Sequence, residues 1–323
     1  MKFARLVRYA LVAFSLAFAA FFCAACQQQA SGTMEETDTQ LMQEATESAL
    51  APYYALIVGN DSRIGTTEIK NENYADGSGR SDTMMLARID PESYQVTLLT
   101  VPRDTETTLN GVVVKINEAY HQDGIEAAKQ QVEELTGISI KYHFDMGFVE
   151  FENFVNELGG IMAHVPIDMH LKDIVSGGKI ELAAGTQELD GPQALVLARM
   201  RKMYAADIEA CRQIQDRQIV EVAIKQVAAD PAKAAAHVNA LLENVKTNWP
   251  TEDLVATVSD FAKNSDKITV LSGTGPYVGD FMEEHDGMWL VPRDEATWKK
   301  VVEVVDQGGD PTTVVPLPEV AAA

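Results

Sequence analysis

A chain of 323 residues with 46% apolar side chains is long enough for one large domain or two small ones and can bury a sizeable core. Its 26 basic and 48 acidic side chains give a formal charge of −22, which excludes general attraction to nucleic acid or to an anionic membrane surface, so any cationic site must be local. Three cysteines, two of them within the first 26 residues, exclude a disulfide framework.

Residues 1–26 read as an export signal or membrane anchor, because Lys2, Arg5 and Arg8 precede an uncharged apolar run from Tyr9 to Ala25. The run is near the lower limit for spanning a bilayer, so an uncleaved single-span anchor and a cleaved signal both fit. Cys26 follows Cys23-Ala24-Ala25 and precedes three glutamines, a pattern similar to a lipoprotein cleavage site. Either reading places the rest of the chain at the extracytoplasmic face of the cell membrane. Residues 27–51 carry five acids and no base and read as a flexible acidic linker.

Next come three apolar runs, Tyr53 to Val58, Met84 to Ile89 and Tyr94 to Val101, the last two separated by Asp90-Pro91-Glu92-Ser93; they predict strands of one sheet. Asp123 with Glu126 makes a capping-box pattern before Ile125, Ala128, Val132 and Leu135, and Gly137 ends that helix. Phe148, Phe151, Val155 and Leu158 repeat at helical spacing, and Ile161 to Pro166 reads as a strand. Further helices are expected near 190–199, 207–228, 231–246, 252–263 and 294–306, with a late strand from Lys267 to Leu271. The pattern predicts an α/β fold, a mixed central β-sheet sandwiched between α-helices, as a single domain over residues 52–308, with 309–323 as a loosely attached tail.

Five segments carry candidate chemistry. Gly59-Asn60-Asp61-Ser62-Arg63 ends the first strand, where α/β folds place ligands, although in isolation an ordinary Asx turn is the better account. Gly77-Ser78-Gly79-Arg80-Ser81-Asp82-Thr83 is a small-residue loop in which backbone and Arg80 can approach a phosphate. Asp61 and Asp82, entering from adjacent strand ends, suffice for magnesium, which takes one or two carboxylates beside water and phosphate oxygens. Val101-Pro102-Arg103-Asp104-Thr105 follows an apolar strand and leads to Lys115-Ile116-Asn117-Glu118-Ala119-Tyr120, whereas the copy Val291-Pro292-Arg293-Asp294 precedes a helix and reads as an N-cap.

Asp190 and Pro192 start a helix ending in Ala198-Arg199-Met200-Arg201. Residues two apart on a helix diverge by about 200°, so Arg199 and Arg201 share a site only if the helix ends there, as expected. In the last segment, Arg212 sits at ion-pair spacing from Glu209 and Asp216 and reads as solvated, Arg217 has a bland partner in Glu221, and Cys211 is a small apolar helix residue. Six scattered histidines make no HExxH or close pair, which excludes a zinc site, and no GxSxG, P-loop or GxGxxG fingerprint is present.

Taken in order, G-N-D-S-R, G-R-S-D-T-M-M-L, V-P-R-D-T, K-I-N-E-A-Y, L-D-G-P-Q-A-L with A-R-M-R, and D-R-Q resemble the LytR-CpsA-Psr family from about Tyr53 to Lys225. The resemblance implies a magnesium-assisted phosphotransferase that moves a phospho-glycopolymer, a teichoic acid or capsular polysaccharide, from a polyprenyl-pyrophosphate carrier to peptidoglycan or a wall protein. Carried over residue by residue, it implies Asp61 and Asp82 as metal carboxylates and Arg63, Arg80, Arg103, Arg199, Arg201 and Arg217 around the pyrophosphate. Gln218, Asp207 and Asp104 transfer more weakly, Asp104 as the proton acceptor beside Arg103 and Asp82. Many relatives carry a further arginine where this chain has Ile214. Arg212 lies five residues from Arg217, about 140° around a helix, so the expectation is one cation fewer. Phe144, Phe148, Phe151 and Phe154 are candidates for lining a prenyl channel, with ordinary core as the bland reading. A pyrophosphatase using water as acceptor and a non-enzymatic lipid-binding regulator are the competing functions; the exported acidic domain excludes nucleic acid.

Overall fold

The computed structural model describes residues 51–68, 79–204 and 208–320; the expected anchor, the linker up to Leu50, and Gly77, Ser78 and Asp207 lie outside them. The three apolar runs form the middle of one sheet. β1 (Tyr53–Asn60) pairs antiparallel with β2 (Ser81–Asp90), which pairs antiparallel with β3 (Gln95–Thr100). Asp90 sets the turn between them, its carboxylate accepting from the backbone N–H groups of Glu92 and Ser93. β6 (Ile140–Met146) adds parallel to β1, β12 (Thr269–Thr274) adds parallel to β3, and the short β11 (Lys246–Thr247) closes the β6 edge. The expected late strand therefore starts two residues beyond Lys267, which ends a 3-10 turn.

Strand side chains alternate between faces, and both faces are apolar, so both are covered. Tyr54, Leu56 and Val58 of β1 pack with α1 (Glu118–Thr136) and α7 (Glu295–Asp306) through Val132, Leu135, Trp298, Val301 and Val305. Ala55 and Ile57 face the other way, toward α4 (Ile208–Ala229), α5 (Ala234–Asn244) and α6 (Thr251–Lys263). Helix α1 is broken at Asp123 (φ −139°) and Gly124 (φ 71°), so the expected start at Asp123 is the start of its second stretch, and Gly137 closes it in the left-handed conformation. Asp294 accepts from Thr297 N at 2.9 Å and caps α7, as the duplicated tetrapeptide predicts.

A flanking subassembly packs α2 (Phe148–Glu157) and α3 (Gly191–Arg199) against α4. It includes the antiparallel pairs β7 (Ile161–Val165) with β10 (Gly185–Leu189) and β8 (Met169–Lys172) with β9 (Lys179–Leu182). Two more hairpins, β4 (Glu106–Leu109) with β5 (Val112–Lys115) and β13 (Asp280–Met282) with β14 (Met288–Leu290), escape the sequence reading because strands of three or four residues leave too short an alternation to read.

The expected loose tail is not loose. Pro311–Thr313 forms a 3-10 turn, Val315 is buried in the cluster of Trp298 and Val301, Val320 packs beside Cys211, and the Cys211 thiol reaches Glu319 O at 3.6 Å. The apolar spacing of Val314, Val315 and Val320, overlooked beside three prolines, is what attaches it. Val315→Ala, which removes two buried carbons, is expected to cost about 1.5 kcal/mol of stability, at roughly 0.8 kcal/mol per buried methylene, in a urea titration.

Candidate active site

Because β1, β3 and β6 run parallel, their carboxyl ends meet at one sheet edge, together with the start of β2. At this edge Asp61 N donates to Arg80 O at 3.0 Å, and Asp61 Oδ1 accepts from Arg80 N at 2.7 Å, so the two loops are clasped together. Gly79 permits the clasp, since a Cβ there would stand 2.8 Å from Ser62 N. Behind it, Asn60 donates to Asp145 at 2.8 Å, accepts from Ser62 N at 3.1 Å, and shares Asp145 with the Tyr120 hydroxyl. Asp145 carries no motif signal, and sequence reading missed it.

Five arginines converge here: Arg63, Arg103, Arg199, Arg201 and Arg212. Helix α3 ends at Arg199, and Met200 is extended, so Arg199 and Arg201 both line one cavity of about 280 Å³ with Arg63, Arg212, Asp82, Thr83 and Phe148. The guanidinium groups of Arg63 and Arg199 lie 5.0 and 4.9 Å from the centroid of the Phe148 ring, stacking two cations on one aromatic. Burial, reinforced by Arg63, pulls the Arg199 pKa down, and Arg199 Nη1 is buried without a hydrogen-bond partner among the described residues.

The other arginines are held by one carboxylate. Glu209 accepts from Arg212 at 2.5 Å and pairs with Arg201 at 2.9 Å and Arg103 at 3.3 Å. Burial alone would push its carboxyl up, but Arg212, Arg103 and Arg201 reverse this and hold it at about 2. Arg212 also donates to Asp216 at 2.5 Å and to Asp82 O at 2.6 Å, and Thr83 donates to Asp216 at 2.8 Å. Arg103 completes the set through Asp82 at 2.5 Å.

Four site expectations are corrected by this geometry. Arg217 lines neither the cavity nor its extension; it is 1% exposed and donates to Ser272 at 3.0 Å and Thr100 at 2.5 Å between the ends of β12 and β3. The face of α4 turned to the cavity carries Arg212, Asp216, Ile219 and Val220, one helical stripe that leaves Arg217 on another side. Only one of the two arginines can use the cavity, as the five-residue spacing implies, but it is Arg212, which is buried rather than solvated. Gln218 also points away, its amide meeting the His164 backbone. Arg80 lines an adjoining groove and pairs with Glu118 at 2.8 Å. Asp104 lies in that groove, 2.6 Å from Lys115 and 3.7 Å from Arg103, between two cations.

The cavity continues into an apolar channel of about 250 Å³ between the sheet and α2, α4, α5 and α6. Ile57, Met146, Phe151, Ile219 and Val220 line both, so polar head and apolar channel are contiguous. Of the four phenylalanines, Phe144, Phe151 and Phe154 line the channel, whereas Phe148 is the arginine platform in the cavity.

Asp61 and Asp82 fit a divalent cation. Burial raises the Asp61 pKa, Asp82 raises it further, and Arg63 stands 3.8 Å away, so the pair carries mutual repulsion that a cation relieves. Among the described residues no cluster of three or more such ligands exists, so most of the coordination would come from water and a bound phosphate.

Removing Arg212 strands Asp216 and part of the Glu209 charge, so Arg212→Met is expected to cost about 3–5 kcal/mol by urea denaturation, partly recovered when Asp216→Asn is added. A second expectation concerns Glu152 on α2, buried beside Asp173, where burial first and the Asp173 charge next push its pKa from 4.5 to about 7. The folded state therefore binds this proton more tightly than the unfolded state; the stabilisation is full below 4.5 and is lost as pH rises through 7. Thermal melts of Glu152→Gln across that window should lack this decline.

The family model of LytR_cpsA_psr matches residues 21–303. The chain is 33% identical over 205 residues to the polyisoprenyl-teichoic acid–peptidoglycan teichoic acid transferase TagV of Bacillus subtilis, covering 61% of this chain and 52% of that protein. It is 27% identical to the Bacillus mycoides transferase TagU, covering 79% and 78%. The match thus spans about half the length of TagV and about four fifths of TagU. The crystal structure of Bacillus subtilis TagV superposes with a TM-score of 0.65 at 26% identity, covering 84% of this chain and 99% of that one. The mixed sheet, its helical layers and the matched sequence together establish that this chain belongs to the LytR-CpsA-Psr family.

Proposed function

We propose that the protein is a phosphotransferase that takes a phospho-glycopolymer from a polyprenyl-pyrophosphate carrier and attaches it to a hydroxyl of peptidoglycan. The observation that carries this reading is the opening of an arginine-lined cavity directly into an apolar channel, a shape that suits a lipid with a multiply charged head. Planar guanidinium groups engage phosphate oxygens in paired hydrogen bonds, and Arg199 has a buried donor without a partner among the described residues. The N-terminus of α2, at Gly147 and Phe148 in the cavity wall, adds the positive end of a helix dipole. TagV and TagU, which bear teichoic acid transferase names, support the same reaction class.

In this mechanism the acceptor oxygen bonds to the phosphorus that carries the glycan, and the bridging P–O bond breaks. The carrier leaves as a polyprenyl phosphate held by Arg63 and Arg199. Arg103 swings its charge from Asp82 and Glu209 to the transferring group, where negative charge develops. The transition state is loose, so the hydroxyl proton departs late, and Asp104, in the groove beside Arg103, receives it. Magnesium, held by Asp61 and Asp82, would neutralise phosphate charge. Residues 1–26 would tether the enzyme at the extracytoplasmic face and 27–51 would space it from the membrane.

The test is purified protein incubated with labelled lipid-linked glycan and cell-wall sacculi. Wall-bound label with release of lipid phosphate is the expected result; Arg103→Ala should lower the rate about 100-fold or more at saturating donor. Chelation of divalent cations should depress the rate, and magnesium should restore it. Free phosphorylated glycan without wall product would mean a hydrolase, and donor binding without turnover a regulator; either outcome refutes the transferase.

A further inference from the structure

Beyond Arg103 lies an open groove of about 730 Å³, walled by the β4–β5 hairpin and the first turn of α1. It shares no lining residue with the cavity or the channel and meets the cavity through the Arg103–Asp82 ion pair, Arg103 lining the groove and Asp82 the cavity. Lys115, Asn117 and Glu118 of the K-I-N-E-A-Y segment line this groove. Asn117 lines the groove at 4% exposure, and its side chain makes no capping hydrogen bond at the start of α1. Its backbone N–H donates to Arg103 O at 3.3 Å, which fixes this amide in register with Arg103. At the mouth, Asn110 donates to Gln122 at 3.3 Å across the gap between hairpin and helix. Val112, 61% exposed, and Val114 and Met288 give the same groove apolar surface.

Amides that both donate and accept, set among small apolar patches, match the chemistry of a sugar chain, which offers hydroxyl and acetamido groups on its edges and C–H groups on its faces. Two sugar chains meet in a transfer reaction, one on the donor and one on the acceptor. In-line displacement puts the attacking hydroxyl opposite the leaving lipid phosphate. The leaving group is drawn toward the channel, and the groove lies across Arg103 from it. We propose that this groove seats the acceptor saccharide, with Asn117 hydrogen-bonding the sugar next to the attacking hydroxyl. The assignment rests on the transferase reading above and adds the residues that select its second substrate.

The test uses a soluble tetramer of β-1,4-linked N-acetylglucosamine as probe, titrated calorimetrically into the wild type, Asn117→Ala and Val112→Glu. Val112 is on the exposed rim, so its variant should fold normally, and thermal melts check this for both. Each variant is expected to weaken probe binding about tenfold, the worth of one hydrogen bond or one apolar contact. In the transfer assay, the acceptor KM should rise by the same factor while kcat and donor KM stay unchanged. Unchanged probe affinity in a folded Val112→Glu overturns the proposal, as does a wild type that fails to bind the probe. A rise in donor KM alone also overturns it, by assigning the groove to the donor's glycan. A wild type that binds the probe through these residues but transfers nothing refutes the transferase reading and leaves the groove as a saccharide site.

Discussion

Glu209 is the constraint on which the cationic site depends. Guanidinium groups crowded in a low-dielectric pocket repel one another, and each resists leaving water. One carboxylate on the first turn of α4 bonds or pairs with Arg103, Arg201 and Arg212, three cations from three separate segments. The opposite wall is handled differently. Arg63 and Arg199 share the face of Phe148, whose negative quadrupole offsets some of their repulsion without supplying a full counter-charge. Arg63 also pairs with Asp61 at 3.8 Å and Glu68 at 3.7 Å, whereas Arg199 keeps a buried donor without a partner among the described residues, so an anion that reaches Arg199 displaces no carboxylate.

The same division continues into the apolar layer behind the cavity. Phe151 and Ile57 line both cavity and channel, so no polar barrier separates the charged pocket from the apolar one. The channel runs between the sheet face of Ile57, Ala87 and Val96 and the helices opposite, where a conventional core would close. A channel in that layer forgoes some dispersion contacts, whereas on the other face Leu56, Met84, Leu86, Leu99 and Trp298 pack with almost no exposure.

Much of the sheet was legible because its strands are buried on both faces and read as unbroken apolar runs, and the α3 terminus was legible because Asp190, Pro192 and the Arg199-Met200-Arg201 spacing all bear on one point. The direction of α4 was not. Glu209, Arg212 and Asp216 show the spacing of surface ion pairs, and nothing in that spacing says whether the stripe faces water or a cavity; tertiary packing decides it. Arg217 fits the family motif yet is used to tie β3 to β12 through two hydroxyls, Thr100 and Ser272, that carry no sequence signal of their own. Asp145 was silent for the same reason: an isolated polar residue acquires meaning only from what the fold places beside it, and Asn117, though it stood in a quoted motif, gave no sign of which cavity it lines.

The interruption of α1 at Asp123 and Gly124 has a mechanical effect. The long second stretch is anchored by Val132 and Leu135 in the core, whereas the first stretch carries Glu118 and Gln122 on the groove wall. Because the backbone leaves helical geometry at the break, the leading turn takes its own direction, with Ala119 buried and the Tyr120 hydroxyl bonded to Asp145, so the groove wall is tied to the same carboxylate that steadies Asn60.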